Sequence, residues 1–227
     1  MKSYICHYPK LKERLSYLMP ALGMNGILDV SVVHGIDRND IGPNEQVGFS
    51  NDRNLVKDRL NYTICPYNYD ILSDSEKPVL ANFLTHIEIW EKIVDSKEEY
   101  ALVLEDDARI LDDFQTNWQI LLETFPLNLD IAYLHEGCGM TVEKNIGIKP
   151  EVNKILYECH RRESRTCCSY IVSKKFCERI LSDLYPIALG VDHELNYIQK
   201  KHNANVYMAS PPLFFEGSTY EYKSSIR

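Results

Sequence analysis

Apolar positions along this chain recur with two periods that take turns. Ser3-Tyr4-Ile5-Cys6-His7 is short and largely apolar, and predicts a buried strand beginning almost at the first residue. Leu11, Leu15, Leu18 and Met19 then fall at helical spacing, and Pro20 predicts the end of that helix. Leu28 to Val33 returns to strand chemistry. A β-α-β opening of this kind predicts a mostly parallel sheet with helices against it.

Residues 37–74 break the pattern. They are rich in Asn, Asp, Gly and Pro, with Gly42-Pro43-Asn44 as a turn signal, and predict a flexible loop on the substrate side. Beyond them, Leu80, Phe83, Leu84, Ile87, Trp90 and Val94 form one apolar stripe at helical period, with Ser75 as candidate N-cap and Pro78 in the first turn. Tyr100 to Leu104 is a continuous apolar run of strand length that ends abruptly in Glu105-Asp106-Asp107. A helix over Phe114–Leu122 and a strand over Ile131–Leu134 follow. Ser169–Val172 reads as a strand, and Ser173 caps a helix carrying Phe176, Ile180, Leu181 and Leu184. A last helix from Asp192 to Lys200 precedes a strand at Val206–Met208 and a Pro211-Pro212-Leu213 corner. With no repeat or linker in between, the order predicts one α/β domain over residues 1–227, helices flanking a mixed, mostly parallel sheet.

Composition narrows the function. Hydrophobic residues make up 44% of 227 positions, enough for a core and too many for a disordered chain. The balance of 25 basic against 33 acidic residues, −8, disfavours a nucleic-acid partner, which needs clustered Lys and Arg. No run reaches the roughly 20 apolar residues of a membrane span, and Met1 to Tyr8 has no signal-peptide core. Seven cysteines, an odd number with no C-x-x-C pair, fit reduced thiols and a cytoplasmic location.

Two acidic groups carry candidate chemistry. An apolar strand has no packing use for three carboxylates at its end, and strand ends are where α/β sheets bind ligands. Alternation puts Glu105 and Asp107 on one side and Asp106 on the other. Hard oxygens of this kind suit Mg²⁺ or Mn²⁺ bridged to substrate phosphates; the plainer account is an acidic surface turn or a helix N-cap. Asp192 and Glu194 begin the last helix, where Asp192 would serve as N-cap, or either as a general base. His86, at the edge of the apolar stripe, is either a core histidine bonded to a carbonyl or a site residue, and His7 closes the first strand at the ligand edge.

Taken in order, these segments resemble glycosyltransferase family 25, the lipopolysaccharide β-galactosyltransferase and collagen galactosyltransferase type. Tyr4-Ile5-Cys6-His7 with Lys12-Glu13-Arg14 is similar to that family's opening, and Gly35-Ile36-Asp37 to its Ala-Val-Asp-Gly turn. Phe83-Leu84-Thr85-His86 with Trp90 resembles the Leu-Ser-His…Trp helix, and Ala101 to Asp107 the Leu-Glu-Asp-Asp strand. Ser169–Ser173, Pro186-Ile187 with Val191–Leu195, and Pro211-Pro212-Leu213 resemble its later segments. The chain departs from the pattern at Arg38, at Ala81-Asn82 and at His7-Tyr8.

The resemblance implies a GT-A-like fold, a UDP-sugar donor, a divalent metal and inversion at the anomeric carbon. It implies Asp107 as metal ligand with Glu216 as a further metal or donor contact, and Glu105 and Asp106 toward the ribose or base. His7, Arg14 and His86 would orient the donor. Asp192, or else Glu194, would be the base. The reaction expected is transfer of a hexose, galactose or glucose, to a hydroxyl of a glycan, glycolipid or protein, with peripheral membrane contact allowed by a glycolipid acceptor. The alternatives are a metal-dependent phosphoesterase or nucleotidyltransferase, and a sugar-binding protein without catalysis.

Overall fold

The structure, a computed structural model, describes residues 1–41, 52–60, 77–136, 140–164 and 166–220. Strand β1 (Lys2–His7), helix α1 (Lys12–Met24) and strand β2 (Val30–His34) make the expected parallel opening, with Ser3 opposite Val30 and His7 opposite His34. Helices α2 (Arg53–Leu60) and α3 (Lys77–Asp95) lead into β3 (Tyr100–Glu105), which lies parallel to β1 on its other side. A short β4 (Ala108–Ile110) and helix α4 (Phe114–Glu123) follow, then β5 (Ile131–Tyr133), α5 (Val142–Ile146) and β6 (Leu156–Glu158). The chain continues through β7 (Ser169–Ser173), α6 (Lys174–Asp183), α7 (Val191–Lys201), β8 (Val206–Ala209), β9 (Phe214–Glu216) and α8 (Gly217–Tyr220).

Among the described residues seven strands form one sheet in the order β2-β1-β3-β7-β5-β8-β6. From the pairings, β2, β1, β3, β5 and β8 point one way, and β7 and β6 run against them. This is the mixed, mostly parallel α/β sheet that the sequence predicts, Rossmann-like in its layering. Both faces are covered, which explains why β3 reads as an unbroken apolar run. On one face Tyr4, Val103, Tyr170 and Val172 meet Phe83, Trp90, Phe176 and Leu195 from α3, α6 and α7. On the other, Ile5, Leu102, Leu104 and Ile171 meet Leu18, Leu22, Phe114 and Leu121 from α1 and α4.

Several boundaries differ from expectation for physical reasons. Helix α1 runs through Pro20 to Met24 because the turn beyond the proline buries Ala21 and Leu22, while Pro20 itself is exposed. That burial offsets the roughly 3 kcal/mol that an interior proline costs. Strand β2 begins at Val30 rather than Leu28, which is left 81% exposed. The segment 37–74 is not loop throughout: α2 lies within it, and its Val56 packs on Ala188 and Leu189. Residues 42–51 and 61–76, including Ser75, lie outside the described residues. The N-cap of α7 is Gly190, so Asp192 stands inside the first turn rather than at the cap position. Ser173 does cap α6, accepting from the Phe176 N–H at 3.1 Å.

Candidate active site

The three parallel strands β2, β1 and β3 end side by side, and a cleft opens beyond them with about 710 Å³ of empty space including its solvent-open mouth. The acidic triplet forms the floor. It is neither a surface turn nor a helix cap, because it lies in the tight turn from β3 into β4, and Asp106 and Asp107 are both buried. A second small sheet closes this turn: Ala108 pairs with Glu216 and Ile110 with Phe214, antiparallel. That pairing brings Glu216, more than a hundred residues later in the chain, to the cleft wall.

The three carboxylates face different partners. Asp106 accepts from Arg14 Nη1 at 2.7 Å on Oδ1, and from His7 Nδ1 at 2.8 Å and the Tyr8 N–H at 3.0 Å on Oδ2. It thereby ties the end of β1 and the start of α1 to the β3–β4 turn. Arg14, His7 and Asp106 all touch the cleft, with their principal hydrogen bonds made to one another. Glu105, on the opposite face of the strand as alternation requires, accepts from Asn82 Nδ2 at 3.0 Å and lies 3.5 Å from His86 Nε2. Burial opposes its charge, but His86 and Asn82 outweigh that and hold its carboxyl below the ordinary value.

Asp107 is in the opposite state. Its Oδ2 accepts from the Ser218 N–H at 3.2 Å, and its backbone carbonyl from the Gly217 N–H at 2.9 Å. Its Oδ1 is buried and, among the described residues, has no hydrogen-bond partner. Burial, with the Glu105 charge next in weight, pushes its carboxyl up to about 6. Ser218 Oγ also donates to Glu216 Oε1 at 3.0 Å, so one serine links the two carboxylates expected to meet a metal.

A carboxylate oxygen left unsatisfied in a buried site costs free energy, and a bound cation would relieve it. Among the described residues no three His, Cys, Asp or Glu side chains gather closely enough to hold an ion by themselves. The donor set therefore fits a cation that keeps one or two protein carboxylates and completes its shell with water and substrate phosphate, as Mg²⁺ habitually does. It does not fit a closed structural metal site.

Gly35 forms the cleft's far wall through a close approach. Its N–H donates to the His7 carbonyl at 2.8 Å, and a Cβ there would stand 2.7 Å from Thr85 Oγ1 and 3.5 Å from that carbonyl. Thr85 Oγ1 is itself tied to the Ala81 carbonyl at 2.9 Å. Gly35→Ala should cost about 1–2 kcal/mol by overpacking. Urea titration should recover most of that loss in Gly35→Ala/Thr85→Ala; a single variant as stable as the parent would show slack in the wall.

The second acidic pair divides. Glu194 is fully buried, and its Oε1 accepts from the Ala188 N–H at 2.6 Å, the Leu189 N–H at 2.9 Å and Arg59 Nη1 of α2. Its geometry is that of an anchor for the 188–190 turn and for α2. Asp192 points elsewhere, with 23% of its side chain exposed and His193 Nε2 3.8 Å from Oδ2. Burial pushes its carboxyl up, with the charge of Glu105 a smaller contribution, and Asp192 is not among the residues that line the cleft. Among the described residues His86 makes no hydrogen bond to a carbonyl. Its Nδ1 lies 2.9 Å from Tyr170 Oη, contacts that local sequence reading missed because Tyr170 stands 84 residues away on β7. Of the described tyrosines only Tyr8 lines the cleft; Tyr4, Tyr133, Tyr157 and Tyr170 are core. The described cysteines, Cys6, Cys159, Cys167, Cys168 and Cys177, are free thiols, all buried. No helix among the described residues is long and apolar enough to cross a membrane.

The chain is 28% identical over 151 residues, 65% of its length, to "Procollagen galactosyltransferase 1" of Danio rerio. It is 26% identical over 131 residues, 55% of its length, to "Procollagen lysyl hydroxylase and glycosyltransferase" of Acanthamoeba polyphaga mimivirus. The matched segments span 24% and 14% of those two proteins. The family model described as "Glycosyltransferase family 25 (LPS biosynthesis protein)" matches residues 2–195, which takes in β1, the acidic triplet, His86, Asp192 and Glu194. The chain belongs to glycosyltransferase family 25.

Proposed function

We propose that this chain transfers a hexose, galactose or glucose, from a UDP-sugar to a hydroxyl group of a glycan, glycolipid or protein, with inversion and with a divalent cation, Mn²⁺ or Mg²⁺, on a GT-A-like fold. The observation that carries the reading is the buried, unsatisfied Oδ1 of Asp107 at the floor of a cleft where three parallel strands end. Family membership supports sugar transfer as the class of reaction.

In this reading Asp107, joined to Glu216 through Ser218, would hold the cation. When bound, the cation supplies positive charge that stabilises the departing diphosphate. Glu105 accepts hydrogen bonds from the nucleoside. Asp106, His7 and Arg14 shape the donor side of the floor, and Arg38 at the cleft mouth faces the anionic diphosphate. Asp192 takes the proton of the acceptor hydroxyl as its oxygen bonds to the anomeric carbon. The bond from that carbon to the diphosphate oxygen breaks, and its electron pair leaves with UDP. An elevated carboxyl pKa suits Asp192 to that task, because it makes the carboxylate a stronger base at neutral pH. Glu194, whose Oε1 accepts from two N–H groups and Arg59 while its buried Oε2 has no hydrogen bond among the described residues, is assigned to architecture.

Calorimetric titration of UDP-galactose and UDP-glucose, each with Mn²⁺ and with EDTA, tests the reading. Binding of one donor that EDTA abolishes is the expected result. No donor bound by folded protein at millimolar Mn²⁺ would overturn it, and cleavage of the diphosphate itself would point to phosphoester chemistry instead.

A further inference from the structure

Trp90 and Tyr170 are fully buried, and the transfer chemistry above gives them no part. They nonetheless end a chain of hydrogen bonds that begins at the cleft. Trp90 stands one helical turn after His86 on α3, and Tyr170 faces both from β7. Trp90 Nε1 lies 3.0 Å from Tyr170 Oη, and Tyr170 Oη 2.9 Å from His86 Nδ1. The His86 and Tyr170 rings stack at 25° with centroids 5.9 Å apart.

The chemistry of these groups orders the protons. An indole N–H only donates, so it donates to Tyr170 Oη. The phenol's single proton cannot return to Trp90, and among the described residues His86 Nδ1 lies within reach as its acceptor. With Nδ1 as acceptor, the ring's hydrogen sits on Nε2, the nitrogen 3.5 Å from Glu105 Oε1. A second chain reaches the same oxygen: Cys6 Sγ donates to Asn82 Oδ1 at 3.2 Å, which turns the Asn82 amide nitrogen toward Glu105 Oε1 at 3.0 Å. Two donors thus converge on Oε1. Among the described residues the other oxygen has no hydrogen bond, on a side chain that is 20% exposed and lines the cleft.

We propose that Tyr170 and Trp90 are positioning residues of the donor site: they hold His86 as the Nε2–H tautomer, which with Asn82 pins one oxygen of Glu105 and presents the other to a hydroxyl or N–H of the donor nucleoside. The consequence for binding rests on the cleft being a nucleotide-sugar site; the tautomer does not. Without Tyr170 the imidazole loses the acceptor bond that selects its tautomer, and the Nδ1–H form, which turns a lone pair toward Glu105, becomes accessible.

Two-bond ¹⁵N–¹H correlation on protein labelled at histidine reads the tautomer directly, with His86 identified by its loss in His86→Gln. The wild-type signal should show the Nε2–H pattern, and Tyr170→Phe and Trp90→Phe should mix in the Nδ1–H form. Calorimetry with UDP and Mn²⁺ on the same samples should show Tyr170→Phe weakened about five- to tenfold, the value of one buried hydrogen bond. His86→Ala should lose roughly 10–100-fold, as supporting shells of sites commonly do. His86→Gln, whose amide nitrogen sits near the Nε2 position, should recover most of that loss. An Nδ1–H or doubly protonated His86 in the wild type would overturn the proposal whether or not UDP binds. Unchanged UDP affinity in folded Tyr170→Phe would overturn its link to the site. A wild type that shows the Nε2–H pattern but binds no UDP would support the relay and remove the donor reading.

Discussion

Asp107→Asn is expected to stabilise the metal-free protein at neutral pH while it abolishes transfer. Burial raises the Asp107 carboxyl from 3.8 to about 6, so the folded state holds its proton more tightly than the unfolded chain does. The sign follows from linkage. Below about pH 4 both states are protonated and the group is neutral in effect. As pH rises toward 6 the unfolded chain ionises first, and the native state loses stability relative to it. A shift of this size corresponds to about 3 kcal/mol, a difference in Tm on the order of 5–10 °C for a chain of this length. The amide carries no charge, so the variant should match the parent near pH 4 and exceed it above pH 6. Mn²⁺ with UDP should raise the parent's Tm and leave the variant's unchanged. Activity should fall at least 10²–10³-fold, the usual cost of one missing electrostatic contact to a developing charge. Melting curves at pH 4, 6 and 7.5 check the first part. A variant less stable than the parent at pH 7.5 would mean that Asp107 is satisfied within the apoprotein.

The second large effect separates the two carboxylates of α7. Asp192→Asn should lower kcat by roughly 10²–10⁴ with KM for the donor little changed, because a general base acts only as the proton moves. Its stability should hold or rise, since burial disfavours the charge that the variant removes. Glu194→Ala should behave in reverse. It strips the acceptor from Ala188 N–H, Leu189 N–H and Arg59 and leaves a buried guanidinium facing a void, which costs about 3–5 kcal/mol. Urea midpoints and single-turnover rates on both variants read the division. A folded Glu194→Ala with intact stability and lost turnover would exchange the two assignments.

The Glu194 case shows where local reading of the chain ends. Its position in the first turn of a helix was legible, and so was its acidity, but Arg59 lies 135 residues earlier in a stretch without helical period. Helix α2 is held by Val56 on Ala188 and Leu189 and by this ion pair. Its own sequence carries little amphipathic signal, so tertiary contact decides it. Pro20 shows the same override in α1, where burial of Leu22 outweighs a local stop signal.

Sequence alone determined the alternation of strands and helices, the mixed sheet and the abrupt arrival of three carboxylates at the end of a buried strand. These are local properties: side-chain period and continuous apolarity follow from backbone geometry and from two covered faces. The family motifs, read in order, added the expected chemistry. Tertiary structure alone decided how the three carboxylates differ. Asp106 is consumed by Arg14 and His7 from 92 and 99 residues away, Glu105 is pinned by Asn82 and His86, and Asp107 keeps one oxygen unsatisfied. The β4–β9 pair that brings Glu216 and Ser218 to Asp107 joins strands of three residues each, too short to leave a periodic trace. Adjacent residues of one chemical type were given separate tasks by partners distant in the chain. Desolvation and hydrogen bonding act through space, and only the folded chain sets those distances.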